Sequence, residues 1–161
     1  MNQYLQELIR LDLEAKRLKC PNVPAFAIKP TKYSDKTAND LTRAIIRCIE
    51  LYGGYAVRVQ TQGQFNEKLG RWTKGTTKTG TADIHGIYNG QHLSIEVKIG
   101  RDRQSEAQRR TADQVSRSGG LYFIAKDFES FWQWFHAIDA NSPTNTAFQH
   151  QPVTQKERRP E

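Results

Sequence analysis

The dipeptide Asn89-Gly90, set between two runs of alternating apolar and polar residues, constrains this chain more than any other feature. Both central positions of a type I′ turn need positive φ, which Asn and Gly accept readily, so residues 81–98 (TADIHGIYNGQHLSIEVK) read as a tight β-hairpin. The turn sets the register unless a bulge intervenes. Asp83 then faces Glu96, and His85 faces Ser94. Side-chain alternation puts Thr81, Asp83, His85, His92, Ser94, Glu96 and Lys98 on one face. Ala82, Ile84, Tyr88, Leu93, Ile95 and Val97 share the other, which is the core side.

Directly opposed strand residues have Cβ atoms about 4.5–5.5 Å apart, where like charges repel. Two carboxylates so placed must share a proton, meet a cation or bear the repulsion. Lys98, on the same face, compensates in part, and a divalent cation would complete the compensation. Carboxylate oxygens suit Mg²⁺ or Mn²⁺, with water and substrate phosphate filling the remaining positions. The competing reading is a solvated strand face with no joint role for these charges, and an E-x-K triplet alone does not decide between them.

The surrounding chain reads as an ordered set of elements. Apolar spacing of three to four predicts a helix over residues 3–19, ended by Pro21 and Pro24, and an extended arm follows to Asp35. A second helix runs from Thr37 to Tyr52 with a stripe of Leu41, Ile45, Cys48, Ile49 and Tyr52, stopped by Gly53-Gly54. Residues 55–59 form a short strand, and residues 61–80 a polar, glycine-rich loop. Beyond the hairpin come a helix over 105–118, an apolar strand over 121–125 expected to be buried on both faces, and an aromatic-rich helix over 128–138. Phe128, Phe131, Trp132, Trp134 and Phe135 read as core or dimer interface before base-stacking platform. Residues 141–161 are rich in Pro, Gln and Thr and read as a disordered tail.

The motif Asp83…Glu96-Val97-Lys98 and this element order resemble the PD-(D/E)XK nuclease superfamily, and within it the VRR-NUC group, related to archaeal-type Holliday junction resolvases. Ala82 stands where the name-giving Pro would be. Ser105-Glu106-Ala107-Gln108 resembles the group's helix motif, whose glutamine adjoins the active site. The resemblance covers somewhat over half the chain. It implies an α/β fold with a restriction-endonuclease-like αβββαβ core, a mixed sheet flanked by helices, and here an extra N-terminal helix. The domain plan is an N-terminal helix and linker arm over 1–35, a nuclease domain over 36–140, and the tail over 141–161. Asp83, Glu96, Lys98 and Gln108 are the implied catalytic residues. Asp83, Glu96 and the carbonyl of Val97 are the implied metal ligands for Mg²⁺ or Mn²⁺. The family's usual glutamate of the first core helix is absent, and Asn39 or Asp40 stands at the corresponding distance before Gly54. The implied product ends are 5′-phosphate and 3′-hydroxyl.

Two roles stay open for Gln108, because Ser105-x-x-Gln108 is also a capping box that would turn the glutamine back on the Ser105 backbone. His85 is expected to line the site and His92 to be exposed. Trp72 either stacks on an unpaired base or anchors its loop.

Charge supports an anionic partner: the chain carries a formal +7 at a pI near 9.5. Arg71, Lys74, Lys78, Arg101, Arg103, Arg109 and Arg110 flank the proposed centre and are candidates for phosphate contacts, with ordinary surface charge as the alternative for each. The two cysteines, Cys20 and Cys48, exclude a disulfide framework and a four-ligand zinc site. No apolar run is long enough for a membrane span or a signal peptide, and a cytoplasmic, reducing location is expected. The leading expectation is a metal-dependent endonuclease acting on DNA, branched DNA included, with a homodimer compatible with that role. The alternatives are a catalytically impaired nucleic-acid-binding protein that keeps the nuclease fold, and a basic adaptor whose first 35 residues dock another protein.

Overall fold

The computed structural model describes residues 2–59, 64–68, 70–73 and 78–140. Helix α1 spans Gln3–Lys19, capped by the Asn2 side chain on the Tyr4 N–H. A single 3₁₀ turn at Ala25–Ala27 interrupts the arm that follows. Helix α2 spans Ala38–Leu51, with the Thr37 hydroxyl accepting from the Asp40 N–H as N-cap. Strand β1 is Tyr55–Arg58, and β2 (Gln64–Asn66) and β3 (Arg71–Thr73) form a separate small hairpin. That hairpin lies inside the segment expected to be loop. The expectation failed because Gly, Asn, Glu and Lys depress strand propensity there, while local pairing still satisfies the backbone.

Strands β4 (Ile84–Tyr88) and β5 (Gln91–Val97) flank the turn, where Asn89 has φ 49° and Gly90 φ 76°. Their register pairs Ile84 with Ile95 and His85 with Ser94, as the turn chemistry requires. Helix α3 is Glu106–Arg117, strand β6 Leu121–Ala125 and helix α4 Phe128–Ala140. The sheet order is β1-β4-β5-β6, with β6 parallel to β5 and the other pairs antiparallel. Removing the small hairpin leaves α2, β1, β4, β5, α3 and β6: the αβββαβ core with a mixed sheet and an added N-terminal helix. The fold is α/β. No helix among the described residues is long and apolar enough to cross a membrane.

The core lies between the Ile84, Leu93 and Ile95 face of the hairpin and helices α1, α2 and α4. Leu41, Ile45, Cys48 and Ile49 of α2 meet Ile84, Leu93 and Ile95 of the sheet, and Phe128, Phe131 and Phe135 of α4 close the layer, all fully buried. The aromatic run of α4 is therefore core packing, with Trp132 and Trp134 half-buried at its margin. Helix α1 belongs to the same core through Leu5 and Leu8, and its buried Asp12 takes Arg47 of α2 at 2.7 Å. Strand β6 is half-buried over most of its length and not enclosed on both faces. It is an edge strand, and α3 contributes no fully buried residue to cover it.

Candidate metal and nucleic-acid site

The face of the hairpin that carries His85 and Ser94 is where the sequence placed its charges. One step beyond the Ile84–Ile95 pair, the register brings Asp83 to Glu96. Two bonds fix Asp83 there. Its carbonyl accepts the Val59 N–H at 2.8 Å, and its Oδ2 accepts the Val97 N–H at 2.9 Å. The N–H and C=O of one strand residue point to the same side of the strand, so the Val97 carbonyl also turns toward Asp83.

Glu96 is 1% exposed, which discards the solvated-face reading for this residue. Its Oε1 carries a double load. Lys98 Nζ lies 3.1 Å away, and the Gln108 Nε2 donates to the same oxygen. Its Oε2 is buried and makes no hydrogen bond among the described residues. A buried acceptor left without a partner costs roughly 1–3 kcal/mol, more when charged. Burial first, and then the Asp83 carboxylate, push the Glu96 carboxyl above its ordinary range, with Lys98 acting in the opposite sense. Burial disfavours the Lys98 ammonium, but its bonds to Glu96 and to Asp102 at 3.3 Å outweigh that and raise its pKa.

Gln108 closes the capping box and reaches Glu96 at once. Its Oε1 accepts the Ser105 N–H at 2.8 Å, the Ser105 hydroxyl accepts the Gln108 N–H at 3.2 Å, and the remaining amide end reaches Glu96. The capping box thus aims the side chain at the carboxylate.

His85 and His92 sit on the same face, with His85 Nδ1 and His92 Nε2 3.1 Å apart. His92 is exposed and His85 half-buried. Burial, then the neighbouring imidazole, lower the His85 pKa. Tyr122, which the sequence reading passed over as one of an apolar run, pairs in register with Ser94. Its hydroxyl accepts from Gln104 Nε2 at 3.4 Å, and Glu96 and Asp83 are close enough to help burial raise its pKa. Alternation within β6 was the missed signal, since it sets Tyr122 on the face of Ser94 and Glu96.

The first core helix supplies no carboxylate here. Asp40 accepts from the Thr37 hydroxyl at 2.9 Å and pairs with Arg43 at 3.2 Å, while Asn39 lines a cleft on the other side of the sheet. Among the described residues no three His, Cys, Asp or Glu side chains form a metal-ligand group. A cation would therefore rest on the carboxylates of Asp83 and Glu96 and the Val97 carbonyl. This donor set fits Mg²⁺ or Mn²⁺, which keep several waters and bind through one or two carboxylates. The unpartnered Glu96 Oε2 supplies the specific vacancy in hydrogen bonding that such an ion would fill.

Of the basic residues, Arg101, Arg103 and Arg109 are exposed around the connector and the start of α3, with no ion pair among the described residues. Lys78 donates to Gln114 at 2.7 Å and keeps its charge unneutralised, while Arg110 pairs with Glu106. Arg71 is exposed on β3. Lys74 and residues 141–161 lie outside the described residues, as does the side chain of Trp72.

No protein-family model matches the chain, and no curated protein matches it.

Proposed function

We propose that the protein is a metal-dependent nuclease of the PD-(D/E)XK kind, hydrolysing phosphodiester bonds of DNA, with Asp83, Glu96 and Lys98 at its centre. The observation that carries this reading is Glu96: a buried carboxylate beside Asp83, with one oxygen held by Lys98 and Gln108 and the other without a partner. Asp83, Glu96 and the Val97 carbonyl would hold Mg²⁺ or Mn²⁺. When bound, that ion polarises a phosphoryl oxygen and makes a bound water more acidic.

The chain's own groups do the rest. Lys98, kept protonated by Glu96 and Asp102, presents an ammonium that orients the attacking water and stabilises charge developing on the phosphate. Gln108 fixes the Glu96 carboxylate from a helix end already rigid through its cap. Arg101, Arg103, Arg109 and Lys78 offer sequence-independent phosphate contacts around this centre. A homodimer and a branched substrate remain part of the proposal.

A second reading has its own observation. With Asp40 engaged by Thr37 and Arg43, no carboxylate of α2 reaches the centre, which favours a protein that binds nucleic acid without cutting it. A panel of linear, flapped and four-way DNA with Mg²⁺, Mn²⁺ or EDTA separates the two. The nuclease reading expects cleavage that EDTA abolishes and that Asp83→Ala and Lys98→Ala lose with binding retained. Binding indifferent to EDTA, with no cleavage in either metal, points to the second.

A further inference from the structure

On the opposite face of the sheet, α2 and β1 enclose a cleft of about 320 Å³. That is the lower end of the range for small-molecule sites. Residues Asn39, Thr42, Ile46 and Glu50 recur along α2 at helical spacing and form one wall, and Arg58 of β1 forms the other. Three arginines, Arg43, Arg47 and Arg58, line the cleft against one carboxylate, that of Glu50.

These cations differ in what occupies them. Arg43 pairs with Asp40 and lies over the Tyr33 ring, and Arg47 is held by Asp12 and Glu50. Arg58 is exposed and has no ion pair or hydrogen bond among the described residues. Thr42, on the α2 wall of the cleft, is only 4% exposed. Asn39 is exposed on the same wall. A hydroxyl, an amide and a free guanidinium thus share one positively charged cleft beside the aliphatic side chain of Ile46 and the Tyr33 ring.

We infer that this cleft binds the phosphate of a nucleotide, with the sugar or base against Ile46 and Tyr33. The donors match a phosphate's several acceptor oxygens, and guanidinium is the side chain best shaped for that group. The apolar wall favours a nucleotide over bare phosphate. Arg58 is registered with Ile84, the neighbour of Asp83, and adjacent strands lie about 4.8 Å apart. The cleft therefore opens at the same end of the sheet as the carboxylates. In a strand bound for cleavage, it holds a nucleotide that has passed the β1 edge, on the face of the sheet opposite the scissile phosphate. That last step rests on the nuclease reading, whereas the cleft's affinity for nucleotide phosphate does not.

The test is ¹H–¹⁵N NMR titration of the full chain, in EDTA, with thymidine 5′-monophosphate, thymidine, orthophosphate and a short single-stranded oligonucleotide. The monophosphate and the oligonucleotide are expected to give saturable shifts at Asn39, Thr42 and the Arg58 Nε–H, and thymidine none. Arg58→Gln is expected to weaken monophosphate binding at least threefold and to lower the salt slope of oligonucleotide binding by about one. Thr42→Val, nearly isosteric in a buried position, is expected to weaken it as well. No saturable shift at these residues, equal binding of orthophosphate and monophosphate, or an Arg58→Gln protein that binds like the parent would overturn the inference. Failure of Mg²⁺-dependent cleavage with the cleft shifts intact counts against the nuclease reading alone.

Discussion

Gln108 donates its side-chain amide to the Glu96 carboxylate while its own carbonyl closes the capping box on Ser105. A helix cap and a buried acid are thereby joined through one planar group. Replacing Gln108 by Glu keeps an N3 residue that satisfies the box but sets a second negative charge against Glu96. Cleavage is expected to fall about 10–100-fold, the usual loss when the partner of a metal ligand is removed. Melting temperature is expected to move little. Gln108→Ala loses both functions, so it is expected to lower activity and stability together. Equal activity of Gln108→Glu and the parent would separate Gln108 from the chemistry.

Lys98 is the charge that lets Glu96 be buried. Its ammonium is 3.1 Å from Glu96, and the Lys98 side chain is 11% exposed. Removing one partner of a buried pair strands the other, at about 3–5 kcal/mol. Lys98→Ala is therefore expected to lose cleavage and also to unfold at lower urea. Restoring neutrality with Glu96→Gln in the same chain is expected to recover stability but not activity. Urea midpoints of the single and double variants measure this.

Asp12 ties α1 to the rest of the molecule and gives the fold an acid limit. Burial works against its charge, but bonds from Thr31, Arg47 and Lys16 overcome this and bring its pKa to about 2. A carboxylate depressed from an ordinary 3.8 contributes stability above that value and loses it as pH falls toward 2. The contribution is about 2 kcal/mol at neutral pH. Stability measured by urea unfolding is expected to drop across this window in the parent. In Asp12→Asn it starts lower and changes less.

Gly80 lets the chain preceding β4 settle on α3. Its φ is +86°, and a Cβ there would stand 2.5 Å from the Ala107 carbonyl oxygen. Backbone cannot yield as a flexible side chain can. Gly80→Ala is expected to cost at least 1 kcal/mol, by the sum of left-handed strain and contact. Because Ala107 adjoins Gln108, the substitution is also expected to lower cleavage. A thermal melt and a cleavage assay on the same preparation read both.

The hairpin was legible because local chemistry decides it: Asn89-Gly90 fixes a turn, the turn fixes a register, and alternation then assigns Asp83 and Glu96 to one face. The α2 stripe was equally local. What escaped depends on distant elements. The burial of Glu96 is the work of neighbouring strands and of Gln108 from α3, and nothing in the local run Ile95-Glu96-Val97 states it. Strand β6 reads as enclosed from its apolar letters, yet its place at the sheet edge leaves it half-covered. Asp12 and Arg47 are 35 residues apart, beyond the reach of any spacing rule. The grouping of Thr42 and the unpaired Arg58 in one cleft emerges only when α2 lies along β1.

The most direct measurement is calorimetric titration of Mn²⁺ into the parent, Asp83→Asn and Glu96→Gln proteins, with DNA cleavage followed on the same samples. The parent is expected to show saturable binding near one ion per chain and metal-dependent cleavage, and each variant to lose both. A parent that takes up no Mn²⁺, or a Glu96→Gln protein that binds and cuts as the parent does, would contradict the account.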